Sequence, residues 1–148
     1  MDIKLISENK TFNGSQKVLS HYSHACNCDM TFGLFLPEVA DHKKVPILWF
    51  LSGLTCTHEN AMVKAGAQQW ASKKSLALIF PDTSPRGDGV PNHADFDLGQ
   101  GAGFYLDARR SSWSTHFNME TYIKDELSSL VFKNFNLDQE RQGITGHS

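Results

Sequence analysis

Apolar and polar positions change their rhythm along this chain, and each rhythm predicts an element. Early on they alternate. Met30, Phe32, Leu34 and Leu36 share one side of an extended run that Pro37 closes, with Thr31, Gly33 and Phe35 between them. Val18 to Tyr22 is the expected hairpin partner, turning near Cys26-Asn27-Cys28-Asp29, and residues 2 to 36 read as antiparallel strands. After the polar connector Asp41 to Lys44, the stretch Val45 to Leu51 is almost unbroken apolar sequence. That is too short for a buried helix and right for a buried strand, with Pro46 near its start, where a missing donor is tolerated.

The run stops at Ser52-Gly53, and a helix start comes next, with Thr57 as N-cap and Glu59 in the first turn. This helix is expected from about His58 to Lys74, with Val63, Ala67, Trp70 and Ala71 on one face. Leu76 to Phe80, closed by Pro81-Asp82, reads as a second buried parallel strand. Asp82 to Phe117 is rich in glycine and has little periodicity, but its aromatics argue for packed structure. Asn118 then caps the clearest helix, in which Met119, Tyr122, Ile123, Leu127, Leu130 and Val131 form one stripe that ends near Lys133-Asn134 and Asn136. Gln142 to Gly146 is a brief strand delivering Ser148. The order predicts one α/β domain over residues 1–148, its sheet antiparallel at one edge and parallel beyond.

Composition adds bounds. With 148 residues, 40% of them hydrophobic, and a net charge of −2, the chain can build a real core. No segment approaches the ~20 apolar residues of a membrane span, and the first residues lack a signal-peptide layout. The Asn-x-Ser/Thr sites at Asn9 and Asn13 therefore carry little weight, and three cysteines suit reduced thiols in a cytoplasm. The near-neutral charge offers nothing to nucleic acid.

The chemistry centres on Gly146-His147-Ser148, half of the Gly-x-Ser-x-Gly turn that exposes a nucleophilic serine. Such a serine needs a histidine base, an orienting acid and two N–H donors for the developing oxyanion. The turn at Gly53-Leu54, between a strand and a helix, is placed to supply one donor. The residue after the serine would supply the other. His21, His24, Cys26 and Cys28, with Cys56 and His58, suggest a metal cluster, but the Cys-x-Cys step fits zinc poorly and small residues packed in a hairpin fit better. Gly99, Gly101 and Gly103 mimic a phosphate loop without the flanking strand and helix, and Asp95-x-Asp97 lacks the later glutamate of a calcium loop. Close loop packing accounts for both, and packing is also the expected role of His147.

Four blocks together carry a resemblance: Leu51-Ser-Gly-Leu-Thr-Cys-Thr57 continuing to Glu59-Asn60, Pro81 to Gly87, Gly101 to Ala108, and Gly146 to Ser148. They resemble the S-formylglutathione hydrolase (esterase D) family of α/β-hydrolases, as does the Cys28–Phe32 strand leading to Leu36-Pro37. The likeness covers essentially the whole chain. It implies Ser148 as nucleophile, the Leu54 N–H as half of the oxyanion hole, and Cys56 beside the pocket, accessible but not the nucleophile. Arg109 to Ser112 before Trp113 is a looser match, in a loop expected to touch substrate. The implied substrate is the thioester S-formylglutathione, hydrolysed to formate and glutathione in formaldehyde detoxification, with simple esters also accepted. Neither cofactor nor metal is expected, and nor is a nucleic-acid or membrane partner; the complete protein could form a homodimer. The family's order of serine, acid, histidine places the acid and base after Ser148, so residues 1–148 alone are expected to lack triad catalysis and to be poorly stable. A related carboxylesterase or acyltransferase, or a non-catalytic fragment, remain the alternatives.

Overall fold

The computed structural model describes residues 2–148. Its strands are β1 (Lys4–Thr11), β2 (Gly14–Ser23), β3 (Cys28–Pro37), β4 (Val45–Leu51), β5 (Ala77–Pro81) and β6 (Leu137–Gly146). They form one sheet in the order β1-β2-β3-β5-β4-β6. The β1, β2, β3 and β5 neighbours run antiparallel, whereas β5, β4 and β6 run parallel. The expected mixed sheet is therefore present, with one antiparallel strand more than the expected hairpin. β1 carries almost no buried residue, so alternation could not mark it. β6 also begins earlier than expected. Its pairing with β4 jumps from Leu137 to Gln142, and the extra residues are turned outward, Asp138 binding Arg141.

Alternation along β4 places Val45, Ile47 and Trp49 on one face and Leu48 and Phe50 on the other. Helices cover the two faces separately. On the Leu48 side lie α1 (His58–Lys64) and α2 (Gln68–Lys73), and Ala61 and Ala71 pack with Phe35, Leu78 and Phe80. On the Val45 side, α3 (Met119–Thr121), a π-helical stretch (Tyr122–Leu127) and α4 (Ser128–Asn134) succeed one another without a break. The wider π turn brings Tyr122 and Leu127, five residues apart, onto the same fully buried face. Burying each such side chain contributes about 1.5–3 kcal/mol. No helix among the described residues is long and apolar enough to cross a membrane.

Two helix expectations need correction. The segment from His58 to Lys74 is two helices, because Gly66, at φ +60, breaks the ladder and resets the phase. Of the expected face, Ala67 and Ala71 do pack on the core, whereas Val63 and Trp70 face solvent, with Lys73 resting over the Trp70 ring. Thr57 does cap α1, in a reciprocal box with Asn60. Asn118 sits at the expected cap position but does not cap, since its amide donates to the carbonyls of Ala25 and Ser114. The Asp107 carboxylate takes that role by accepting from the Thr121 N–H and hydroxyl.

Candidate active site

β4 and β6 are neighbouring parallel strands, so the turns after them leave from the same end of the sheet, where open α/β sheets form their crevices. Their last paired residues are Leu51 and Gly146, and the His147 N–H donates to the Leu51 carbonyl at 3.3 Å. The Ser52-Gly53 turn and Ser148 therefore meet. A Cβ built on Gly53 would lie 2.6 Å from the Ser148 Cβ and 3.1 Å from its Oγ, so only glycine lets the serine approach this closely. Ser148 itself has φ +60.

The turn beside the serine is held at several points. The Cys56 N–H donates to the Gly53 carbonyl at 3.1 Å and closes a four-residue turn. Thr55 takes its φ > 0 position, at +69, which is rare for a β-branched residue and costs roughly 1–3 kcal/mol unless the surroundings impose it. Here the surroundings do impose it. The Thr55 N–H donates to the Gly101 carbonyl (2.9 Å), the Tyr105 hydroxyl to the Ser52 carbonyl (2.6 Å), and both the Thr83 hydroxyl and Arg86 Nη2 (2.8 Å) to the Cys56 carbonyl. Arg86 Nε in turn contacts both oxygens of Asp82, at 3.0 and 3.2 Å. Burial pushes the Asp82 carboxyl above its ordinary value, opposed by the Arg86 charge and by N–H donors including Ser84. With Thr55 and Cys56 engaged, the Leu54 N–H has no hydrogen-bond partner among the described residues.

Around this turn lies a cleft of about 700 Å³, lined by Leu51–Leu54, Thr83, Gly101, Phe104, Tyr105 and Ile144–Ser148. Exposed Phe104 and Ile144 make its rim apolar. Burial raises the Tyr105 phenol, so it stays a hydrogen-bond donor. Among the described residues the cleft holds one imidazole, that of His147, and no carboxylate. The His147 ring is tilted against Phe50 with centroids 6.2 Å apart. His58, at the start of α1, has a buried Nδ1 without a partner among the described residues, and its burial lowers the imidazole's affinity for a proton.

Of the expected site residues, the fold brings Ser148 and Leu54 together. Cys56 is half-buried and braces the turn through its carbonyl, but it does not line the cleft. Trp113 lines a separate cavity of about 230 Å³, edge-to-face with Phe117, and Phe104 borders both spaces. Thr83, Arg86 and Tyr105 had no role assigned from sequence, although they stand in the Pro81–Gly87 and Gly101–Ala108 blocks. The His21, His24, Cys26 and Cys28 set does not converge. His21 is buried and stacked on Tyr122, and Cys26 and Cys28 are buried, burial raising the Cys26 thiol to about 12. No group of three or more His, Cys, Asp or Glu among the described residues is arranged to hold a metal. The Gly99–Gly103 stretch packs on the site, with Gly101 beside Thr55 and Gly103 beside Thr83.

Comparison with known proteins gives a consistent picture. The Esterase family model matches residues 23–148. An S-formylglutathione hydrolase of Paracoccus denitrificans (strain Pd 1222) is 61% identical over 143 residues, which is 97% of this chain and 51% of that protein. The solved S-formylglutathione hydrolase from Agrobacterium tumefaciens superposes with a TM-score of 0.96 at 46% identity, covering 97% of this chain and 52% of that one. An S-formylglutathione hydrolase from Staphylococcus aureus shares the fold, with a TM-score of 0.64 at 18% identity over 100% of this chain and 48% of that one. The chain spans about half the length of that Paracoccus relative.

Proposed function

This chain belongs to the Esterase family of α/β-hydrolase fold, and on that premise we propose that the full-length protein is a serine thioesterase converting S-formylglutathione to glutathione and formate. The observation that carries the reading is the contact of Ser148 with Gly53, next to a Leu54 N–H that has no other partner among the described residues. Ser148 Oγ attacks the thioester carbonyl carbon, and its proton passes to a base. The carbonyl oxygen becomes an anion that the Leu54 N–H stabilises; losing one such donor costs about 3–4 kcal/mol in other enzymes. The tetrahedral intermediate collapses as the C–S bond breaks. Thiolate is a good leaving group, so this step needs little general-acid help. Water then hydrolyses the formyl–Ser148 ester and releases formate.

In the α/β-hydrolase order of serine, acid, histidine, the acid and base come after the nucleophile. The half described here contributes the nucleophile and one oxyanion donor, and activity is proposed for the full-length protein. The similarity to named S-formylglutathione hydrolases supports the substrate choice. Cys56 and Trp113 stand outside the cleft, Cys56 behind the turn and Trp113 in the neighbouring cavity across Phe104, so no direct substrate contact is proposed for either. The cytoplasm is the compartment proposed, in keeping with three free cysteines.

Ser148→Ala in the full-length protein should lower turnover of formyl thioester by ~10⁴-fold or more, measured as free thiol released. Unchanged turnover removes serine from the mechanism. Faster turnover of a matched oxygen ester than of the thioester would favour a carboxylesterase instead.

A further inference from the structure

Arg86 is the most heavily engaged cation near the site, yet it does not line the cleft, so it is not placed to meet substrate. Its guanidinium is a rigid fork. One side is fixed on both oxygens of buried Asp82, at the end of β5, and Nη2 reaches the Cys56 carbonyl. Asp82 is itself anchored to the sheet, its N–H donating to the Thr31 carbonyl of β3 at 3.1 Å. Sheet, carboxylate, guanidinium and turn are thus connected in series. A buried carbonyl is satisfied by one neutral donor, and this one also has the Thr83 hydroxyl. The additional charged donor falls next to Thr55, the residue whose backbone would relax if the turn were released.

From this geometry we infer that Arg86, locked on Asp82, is a positioning residue for the oxyanion donor: it holds the Gly53–Cys56 turn by the Cys56 carbonyl and so aims the Leu54 N–H at the space beside Ser148. The inference rests on the proposed oxyanion role of Leu54 and adds the device that orients it.

The test uses the full-length protein and the variants Arg86→Ala and Arg86→Lys. Hydrogen exchange of the peptide covering residues 52–57 reads the turn directly, without activity. In Arg86→Ala that exchange should accelerate while the sheet strands keep their wild-type rates. The kcat on formyl thioester should fall ~10- to 100-fold, with KM within about twofold. Affinity for a trifluoromethyl ketone, which mimics the tetrahedral intermediate, should fall by the same factor as kcat. Arg86→Lys should be intermediate, since an ammonium cannot span both partners, and added guanidinium should partly restore Arg86→Ala. Wild-type exchange at residues 52–57 overturns the inference, as does a loss confined to KM or a uniform rise of exchange across the sheet. If Arg86→Ala does not fold, Arg86→Lys, which cannot span Asp82 and the Cys56 carbonyl together, must show the same pattern at smaller amplitude, and wild-type exchange there also overturns it. Absence of Ser148-dependent turnover in the wild type defeats the functional reading, and the exchange comparison still decides whether Arg86 holds the turn.

Discussion

One added methyl at Gly53 would meet Ser148 well inside van der Waals contact. The neighbouring backbone cannot yield easily, because the Ser52 carbonyl is held by Tyr105 and the Gly53 carbonyl by the Cys56 N–H. Gly53→Ala should therefore displace the serine rather than the turn, and lower kcat/KM by ~100-fold or more, a misplacement cost seen when reacting atoms move by about 1 Å. Labelling of Ser148 by a fluorophosphonate should slow in parallel. Wild-type labelling in this variant would mean that the serine does not depend on the close approach. The two halves of this pairing were legible as local signals, a glycine turn after a largely buried strand and a Gly-x-Ser after a brief, mostly exposed one. The roles of Arg86, Thr83 and Tyr105 were not. Each acts by one bond from a side chain to a distant backbone carbonyl, and such a bond leaves no period in the sequence.

At the scale of elements, hydrophobic rhythm reported the buried faces and failed where geometry interrupts it. The alternation in β3, the apolar runs of β4 and β5, and the stripe from Met119 to Val131 all correspond to buried faces. The expected face of the His58–Lys74 segment does so only in part: Ala67 and Ala71 pack on the core, but the break at Gly66 separates α1 from α2, and Val63 and Trp70 lie in solvent. β1 left no apolar signature because it lies exposed at the sheet's edge. These differences predict opposite responses to substitution. Val63→Ser and Trp70→Ser, both exposed, should change stability within ~0.5 kcal/mol. Leu127→Ala, which empties a fully buried position in the π-helical stretch, should cost ~2–5 kcal/mol. Denaturant midpoints of the full-length protein check both, and a large loss at Trp70 would restore the continuous-helix expectation.

At the scale of the whole molecule, the two halves of the site come from distant parts of the chain. β4 leads into the Gly53–Cys56 turn, the proposed oxyanion donor, and β6, at the far end of the described residues, leads into Ser148. Between them come both α-helical layers, β5 and the long loop that braces the turn. Their pairing closes a long loop, and contacts of this separation form slowly. The arrangement acts as a clock. During synthesis the turn and its brace emerge before the serine, and during refolding the serine should dock after the intervening layers have packed. Reactivity should then be the last property to appear. Refolding of the full-length protein, sampled with short fluorophosphonate pulses, should show Ser148 labelling lagging the far-ultraviolet helical signal; simultaneous recovery would remove the delay. With Ser148 as the proposed nucleophile, a protein built this way would leave the ribosome harmless and become reactive only once its layers have packed.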